Sequence, residues 1–149
     1  MKYVIFNLHG EEYGFSIFQV KEIIKVSEIR PLPHLPGFIE GLMRIRSHSL
    51  LVVDLAKKFG LKNPVQKKEV LVVFVKDYIL GLLVDSTQDV FEIDAAQIDR
   101  RPRIMGEFSY ARHIEGIAHR AQNDIVLLDA SSLLTPDEER DLEKIGSAP

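Results

Sequence analysis

The stretch "EGLMRIRSHSLLVVDLA", Glu40 to Ala56, is written a second time as "EGIAHRAQNDIVLLDAS", Glu115 to Ser131. In each, a Glu-Gly pair opens an apolar segment, a polar turn follows, four aliphatic residues come next, and an Asp stands thirteen residues after the Gly. Two apolar runs separated by a short polar turn describe a β-hairpin, so the chain contains two copies of one β unit. Outward from that hairpin the correspondence continues. Aligning Gly14 with Gly81, an offset of 67, superposes Phe15-Ser16-Ile17 on Leu82-Leu83-Val84 and Val20-Lys21-Glu22-Ile23 on Thr87-Gln88-Asp89-Val90. Aligning Gly41 with Gly116 gives an offset of 75. The eight-residue difference falls between Ile98 and Ile114, which predicts a longer loop, Asp99 to His113, as a candidate for mobility or binding.

The remaining elements follow from local pattern. Tyr3 to Leu8 and Tyr13 to Ile17 read as a hairpin with a four-residue loop over His9 to Glu12. Val20 to Ile24 reads as one helical turn or a bent strand, and Pro31, Pro33 and Pro36 mark an extended connection. Strands are expected at Ile39 to Arg46, Leu50 to Val53, Val70 to Val75 and Tyr78 to Val84. Asp54 is placed to cap a helix over Leu55 to Phe59 that Gly60 ends, and Asp129 is its counterpart. Thr135, Pro136 and Glu138 form a capping box for a helix from 136 to about 145, with Leu133, Leu134, Leu142 and Ile145 as its contacts.

These elements predict an all-β chain with short helices. Five short strands per unit bury best by closing on themselves. The expected architecture is two pseudo-symmetric five-stranded β-barrels in a single domain spanning 1–149. Subdomain 1 would cover about 1–62, subdomain 2 about 69–134, and the C-terminal helix 136–145, with a groove at the junction.

Composition excludes several function classes. The chain of 149 residues has no cysteine, so it offers neither a disulfide framework nor a thiolate site. Net charge is −3 and the basic residues are scattered, which argues against nucleic acid as a partner. His9, His34, His48, His113 and His119 form no ligand pair at helical or strand spacing, so no metal or other cofactor is expected. No serine sits in a nucleophile elbow and no glycine loop is built to cradle phosphate. Asp54 and Asp129 could pair as acid and base, but capping accounts for both, and no enzymatic activity is expected. The N-terminus enters a strand at once, and no apolar run approaches the roughly 20 residues that span a bilayer. A cytoplasmic location without direct membrane insertion is the expectation.

Four segments together resemble the CheW family of bacterial chemotaxis coupling proteins. They are "FNLHGEEYGFSIFQVKEI" (Phe6 to Ile23), "LPGFIEGLMRIRSHSLLVVDLAKKFGL" (Leu35 to Leu61), "ILGLLVDSTQDV" (Ile79 to Val90) and "YARHIEGIAHRAQNDIVLLDASSLL" (Tyr110 to Leu134). The resemblance implies two SH3-like barrels and a non-catalytic adaptor recruited to membrane receptor arrays. Its implied partners are the regulatory domain of a CheA-type histidine kinase and the cytoplasmic tip of methyl-accepting chemoreceptors. Partner-binding positions of the family carry over to Val20, Glu22, Gly41 and Arg46. Val20 serves equally well as core, and Gly41 as a point of close backbone approach. The family's Asn-Leu-Arg-Gly becomes Arg44-Ile45-Arg46-Ser47 here. Arg44 and Arg46, two apart, are expected on one strand face, and Ser47 strains the turn if positive φ is needed there. That departure implies an altered receptor contact, through a paralogue with a different receptor, a coupler of a non-flagellar pathway or reduced receptor affinity, or else a regulatory or decoy subunit that binds kinase without receptor.

Overall fold

The structure, a computed structural model, describes residues 1–46, 48–61, 69–100, 111–120 and 123–146. Its strands are β1 (Lys2–Leu8), β2 (Glu11–Ser16), β3 (Val20–Lys25), β4 (Ile29–Arg30), β5 (Ile39–Ile45) and β6 (His48–Asp54), then β7 (Glu69–Val75), β8 (Tyr78–Val84), β9 (Ser86–Glu92), β10 (Ile98–Asp99), β11 (Ile114–His119) and β12 (Asp124–Leu128). Helix α1 (Leu55–Lys58) follows β6, and α2 (Pro136–Gly146) closes the chain. The first hairpin turns on two residues, His9 and Gly10, rather than four. Both lie at positive φ, as a two-residue hairpin twist requires. The ambiguous stretch after β2 resolves into a single 3-10 turn, Ile17–Gln19, followed by a bulged strand, β3.

The strands form two six-stranded sheets. The first has the order β3-β7-β8-β6-β5-β4, and the second β10-β11-β12-β2-β1-β9. Each counts one strand more than the five expected, because the two-residue strands β4 and β10 join at an edge. The reading of contiguous subdomains at about 1–62 and 69–134 is corrected by the pairing. The β1-β2 hairpin belongs to the sheet of β9 to β12, and the β7-β8 hairpin to the sheet of β3 to β6. The exchange is reciprocal and shares one register. Val52 pairs with Gly81 across the parallel β6-β8 ladder, and Leu127 with Gly14 across β12-β2. The repeat is therefore real, with each unit lending its hairpin to the other.

Exchange explains why the lent strands are apolar on successive residues instead of alternating. A strand with both faces covered has no solvent side to make polar. In β7, Val70 and Val72 face a cluster with Met43, Leu50, Val52 and Leu83, while Leu71, Val73 and Val75 face a larger central cluster. In β1, Tyr3 and Ile5 face a small cluster with Ala118, Ile125 and Leu127, while Val4, Phe6 and Leu8 face the central one. Every strand of the first sheet sends a residue to its own cluster, including Ile24 from β3 and Ile29 from β4, so the sheet must curl around it. The middle of the junction, expected as a groove, is filled by that central cluster. There Phe6 stacks on Phe15 at 5.5 Å and on Tyr13 at 5.7 Å. Each large side chain buried this way contributes roughly 1.5–3 kcal/mol, so the junction is a principal source of stability.

Helix α2 straps the junction. It leaves the second sheet but is held by the first: Lys58 of α1 pairs with Glu138 at 2.5 Å, and Lys76 of the β7-β8 turn with Glu139 at 2.5 Å. Leu133, Leu134 and Leu142 bury against the central cluster. The side chain of Ile145 lies outside the described residues, as do the linker over 62–68 and the loop positions 101–110.

Candidate protein-docking site

Two of the residues singled out in the sequence, 24 positions apart, meet at one end of the first sheet. The Arg46 guanidinium donates from Nη1 to Glu22 Oε2 at 3.4 Å and from Nη2 to Glu22 Oε1 at 3.2 Å, a two-pronged contact. Glu22 comes from the bulged start of β3, with its side chain 23% exposed, and Lys21 Nζ stands 3.9 Å from it. Arg46 follows the last residue of β5 and takes a left-handed conformation, φ +52°. A residue other than glycine there costs about 1 kcal/mol, so the position holds a strained backbone beneath an ion pair. The sequence placed this strain at Ser47, which lies outside the described residues.

Beside the pair is an apolar patch that no sequence signal marked. Phe74 and Ile79 are direct cross-strand partners on β7 and β8, and each is 41% exposed. They continue the inward-facing rows of Val70-Val72 and Gly81-Leu83 past the end of the core, so their rings and methyls emerge where the sheet opens. Glu22 pairs with Val72, which makes Phe74 its diagonal neighbour. The open end of the first sheet thus carries two exposed hydrophobic side chains with a guanidinium-carboxylate pair at their edge. That is the composition of a protein interface, an apolar centre with a polar rim. Phe18 and Ile17, on the turn that carries the chain between sheets, are exposed as well, Phe18 to 77%.

The other candidates divide. Val20 is half-buried against the central cluster. Gly41 lies at φ +141°, and a Cβ there would stand 2.0 Å from the Arg30 carbonyl oxygen, so glycine is what lets β5 pass β4. Arg44 and Arg46 do not form the expected dicationic face. The left-handed turn directs Arg46 to Glu22, while Arg44 lines an open cavity of about 360 Å³ with Ser27, Glu28, Arg30, Leu42 and Ser49. Arg44 is a neighbour of Arg30, not of Arg46.

The three caps are hydrogen-bonded. Asp54 is buried and accepts from the Lys57 amide at 3.1 Å. Asp129 accepts from the Ser131 amide at 3.0 Å and also from Gln19 Nε2 at 3.1 Å, tying the chain between β2 and β3 to the end of β12. Thr135 Oγ1 accepts from the Glu138 amide while Glu138 Oε1 accepts from the Thr135 amide, a reciprocal box. Burial raises the Glu138 carboxyl, but hydrogen bonds from Lys58 and Thr135 outweigh it and hold the group below its ordinary value. Nearby, His113 is buried, stacked on Phe59 at 5.8 Å, with Nδ1 3.2 Å from Ser132 Oγ. Burial, with the charges of Arg112 and Lys58, lowers its pKa to about 4. Among the described residues no group of three or more His, Asp or Glu is placed to hold a metal, and no helix is long and apolar enough to cross a membrane.

A family model described as a CheW-like domain matches residues 2–138. The chain is similar to a chemotaxis protein CheW of Treponema pallidum, 28% identical over 141 residues that cover 91% of this chain and 82% of that one. It is 30% identical over 142 residues to a chemotaxis protein CheW of Rhizobium meliloti, covering 93% and 89%. Among solved structures it is similar to the scaffolding protein TtCheW from Thermoanaerobacter tengcongensis, with a TM-score of 0.82 and 30% identity over 92% of this chain and 94% of that chain.

Proposed function

The chain belongs to the CheW-like domain family, and from that premise we propose that it is a non-catalytic chemotaxis adaptor that couples a CheA-type histidine kinase to methyl-accepting chemoreceptors. The observation that carries the reading is the open end of the first sheet. Phe74 and Ile79 stand exposed beside the Glu22–Arg46 pair, on a strand pair whose middle residues are buried on both faces. Large hydrophobic side chains at a sheet end, rimmed by a directed charge pair, support protein docking. We assign this end to the kinase regulatory domain and the exposed turn at Ile17 and Phe18 to the receptor tip. Val20 then acts from beneath, packing the chain that carries both surfaces, and Gly41 sets the sheet geometry without contact. Recruitment to receptor arrays follows from the receptor contact.

The test is a pull-down of the purified chain against two baits, the cognate kinase regulatory domain and a receptor cytoplasmic fragment. Retention on both is the expected result. Retention on the kinase alone would make the chain a decoy, and retention on neither would remove the adaptor reading.

A further inference from the structure

We propose that the cavity on the outer face of β4, β5 and β6 binds the carboxylate of an acidic side chain on a docking protein. The site is built by register. Arg30 of β4 stands opposite Leu42 of β5, and Arg44 follows Leu42 by two on the same face, so Arg44 is the diagonal neighbour of Arg30. Ser49 of β6 stands opposite Arg44. Together with Ser27 and Glu28 these residues line the cavity of about 360 Å³.

Neither guanidinium has an acidic partner among the described residues, and Glu28, although it shares the lining, lies in no ion pair there. Two guanidiniums on one cavity repel each other, and a bound anion relieves that repulsion. The planar fork of each Arg matches the two oxygens of a carboxylate, while the Ser27 and Ser49 hydroxyls supply further donors and Leu42 an apolar wall for the methylenes of a Glu or Asp. Charge selects among anions. With two Arg and one Glu the lining carries one net positive charge, which a carboxylate neutralises and a doubly charged phosphate overshoots toward Glu28. The inference rests on the adaptor reading only in taking a protein as the partner. The cavity lies on the outer face of the sheet and is distinct from the open end that carries Phe74 and Ile79.

The test is a titration of the full-length ¹⁵N-labelled chain, following the Nε–Hε signals of Arg30 and Arg44. The probes are acetyl-Gly-Glu-Gly-amide, its Gln counterpart and inorganic phosphate. Saturable shifts of both signals with the Glu peptide alone are expected. Arg44→Asn should weaken that binding roughly tenfold, the scale of one charge-assisted hydrogen bond. Glu28→Gln, which removes the competing carboxylate, should tighten it, with circular dichroism unchanged in both variants. Equal responses to the Glu and Gln peptides, tighter binding of phosphate, or full affinity in Arg44→Asn would each overturn the proposal. Kinase and receptor are absent from this experiment, so its failure leaves the adaptor reading standing, whereas failure of the two-bait pull-down would remove the protein partner and leave the carboxylate binding itself to this titration.

Discussion

The two sheets present the same backbone at their open ends and use it in opposite ways. The cross-strand pair Phe74 and Ile79 in the first sheet corresponds, 67 residues earlier, to the cross-strand pair Asn7 and Glu12 in the second. In the second sheet these positions are tied inward. Asn7 Nδ2 donates to Ser86 Oγ at 3.0 Å, Gln88 Nε2 donates to Asn7 Oδ1 at 3.2 Å and to Glu12 Oε2 at 3.0 Å, and Asn123 Nδ2 donates to Glu12 Oε1 at 3.1 Å. In the first sheet they are apolar and exposed. One end consumes its polar capacity within the chain; the other keeps hydrophobic area in reserve. The repeat supplies two equivalent ends, and the side chains at two positions decide which of them is apolar and exposed.

The comparison breaks most visibly at the bulge glycines. Gly41 and Gly116 correspond in the repeat, but a Cβ on Gly41 meets the Arg30 carbonyl at 2.0 Å with φ +141°, whereas on Gly116 it meets Asp99 O and Ile98 Cγ2 at 2.9 Å. Gly41→Ala should cost about 3 kcal/mol or more, through both overpacking and backbone strain, and Gly116→Ala about 1–2 kcal/mol. Urea midpoints of the two variants check the ranking, and equal losses would show that the first sheet tolerates more movement than its geometry implies.

Exchanging the end residues sharpens it further. Phe74→Asn with Ile79→Glu gives the first sheet the second sheet's pair and should weaken kinase-domain affinity by at least about 30-fold, the scale of an interface hot spot. Stability should fall by only about 1–2 kcal/mol, since each side chain is already 41% exposed. Isothermal titration beside thermal unfolding separates the two effects.

A buried histidine beside the strap supplies a pH dependence. His113 has its pKa lowered to about 4 from an ordinary 6.5, so the unfolded chain takes up its proton before the folded chain does. The stability that the neutral imidazole allows is complete above about 6.5 and is lost as pH falls from there toward 4. The Glu138 contribution is lost only below its ordinary value near 4.5, so a comparison at pH 7 and pH 5 isolates the histidine. His113→Gln should flatten the change in urea midpoint over that interval. An undiminished slope would assign the dependence to another group.

Smaller effects are expected at the caps and the ion pair. Asp54→Ala should cost about 1 kcal/mol, and Asp129→Ala somewhat more because Gln19 loses its acceptor too. Arg46→Gly should leave stability near wild type, since relief of about 1 kcal/mol at φ +52° offsets an exposed pair of similar worth, while kinase binding falls.

Much of this was legible in the sequence, and what was missed has physical reasons. The repeat, the strands and the caps are local, written in glycine spacing, apolar runs and Asp before a helix. Partner choice between strands is not local. A run such as Leu71-Val72-Val73 states that both faces are covered, but not that the covering sheet comes from the other half of the chain. The Glu22–Arg46 contact depends on a turn and a bulge together, and neither residue alone reports the other. Phe74 and Ile79 sit in the same runs as buried neighbours, and only the point where the sheet opens separates them. Strand alternation puts Arg44 and Arg46 on one face, and the left-handed turn at Arg46 breaks that alternation.

The most direct test of the central claim, that the open end of the first sheet is the docking face, is methyl-resolved NMR of the full-length chain titrated with the kinase regulatory domain. The Ile79 δ1 methyl should shift or broaden first, together with amides of Glu22, Phe74 and Arg46, while Asn7, Glu12 and Gln88 at the opposite end stay unperturbed. Perturbation centred on Asn7 and Glu12, with Ile79 unchanged, would contradict the account.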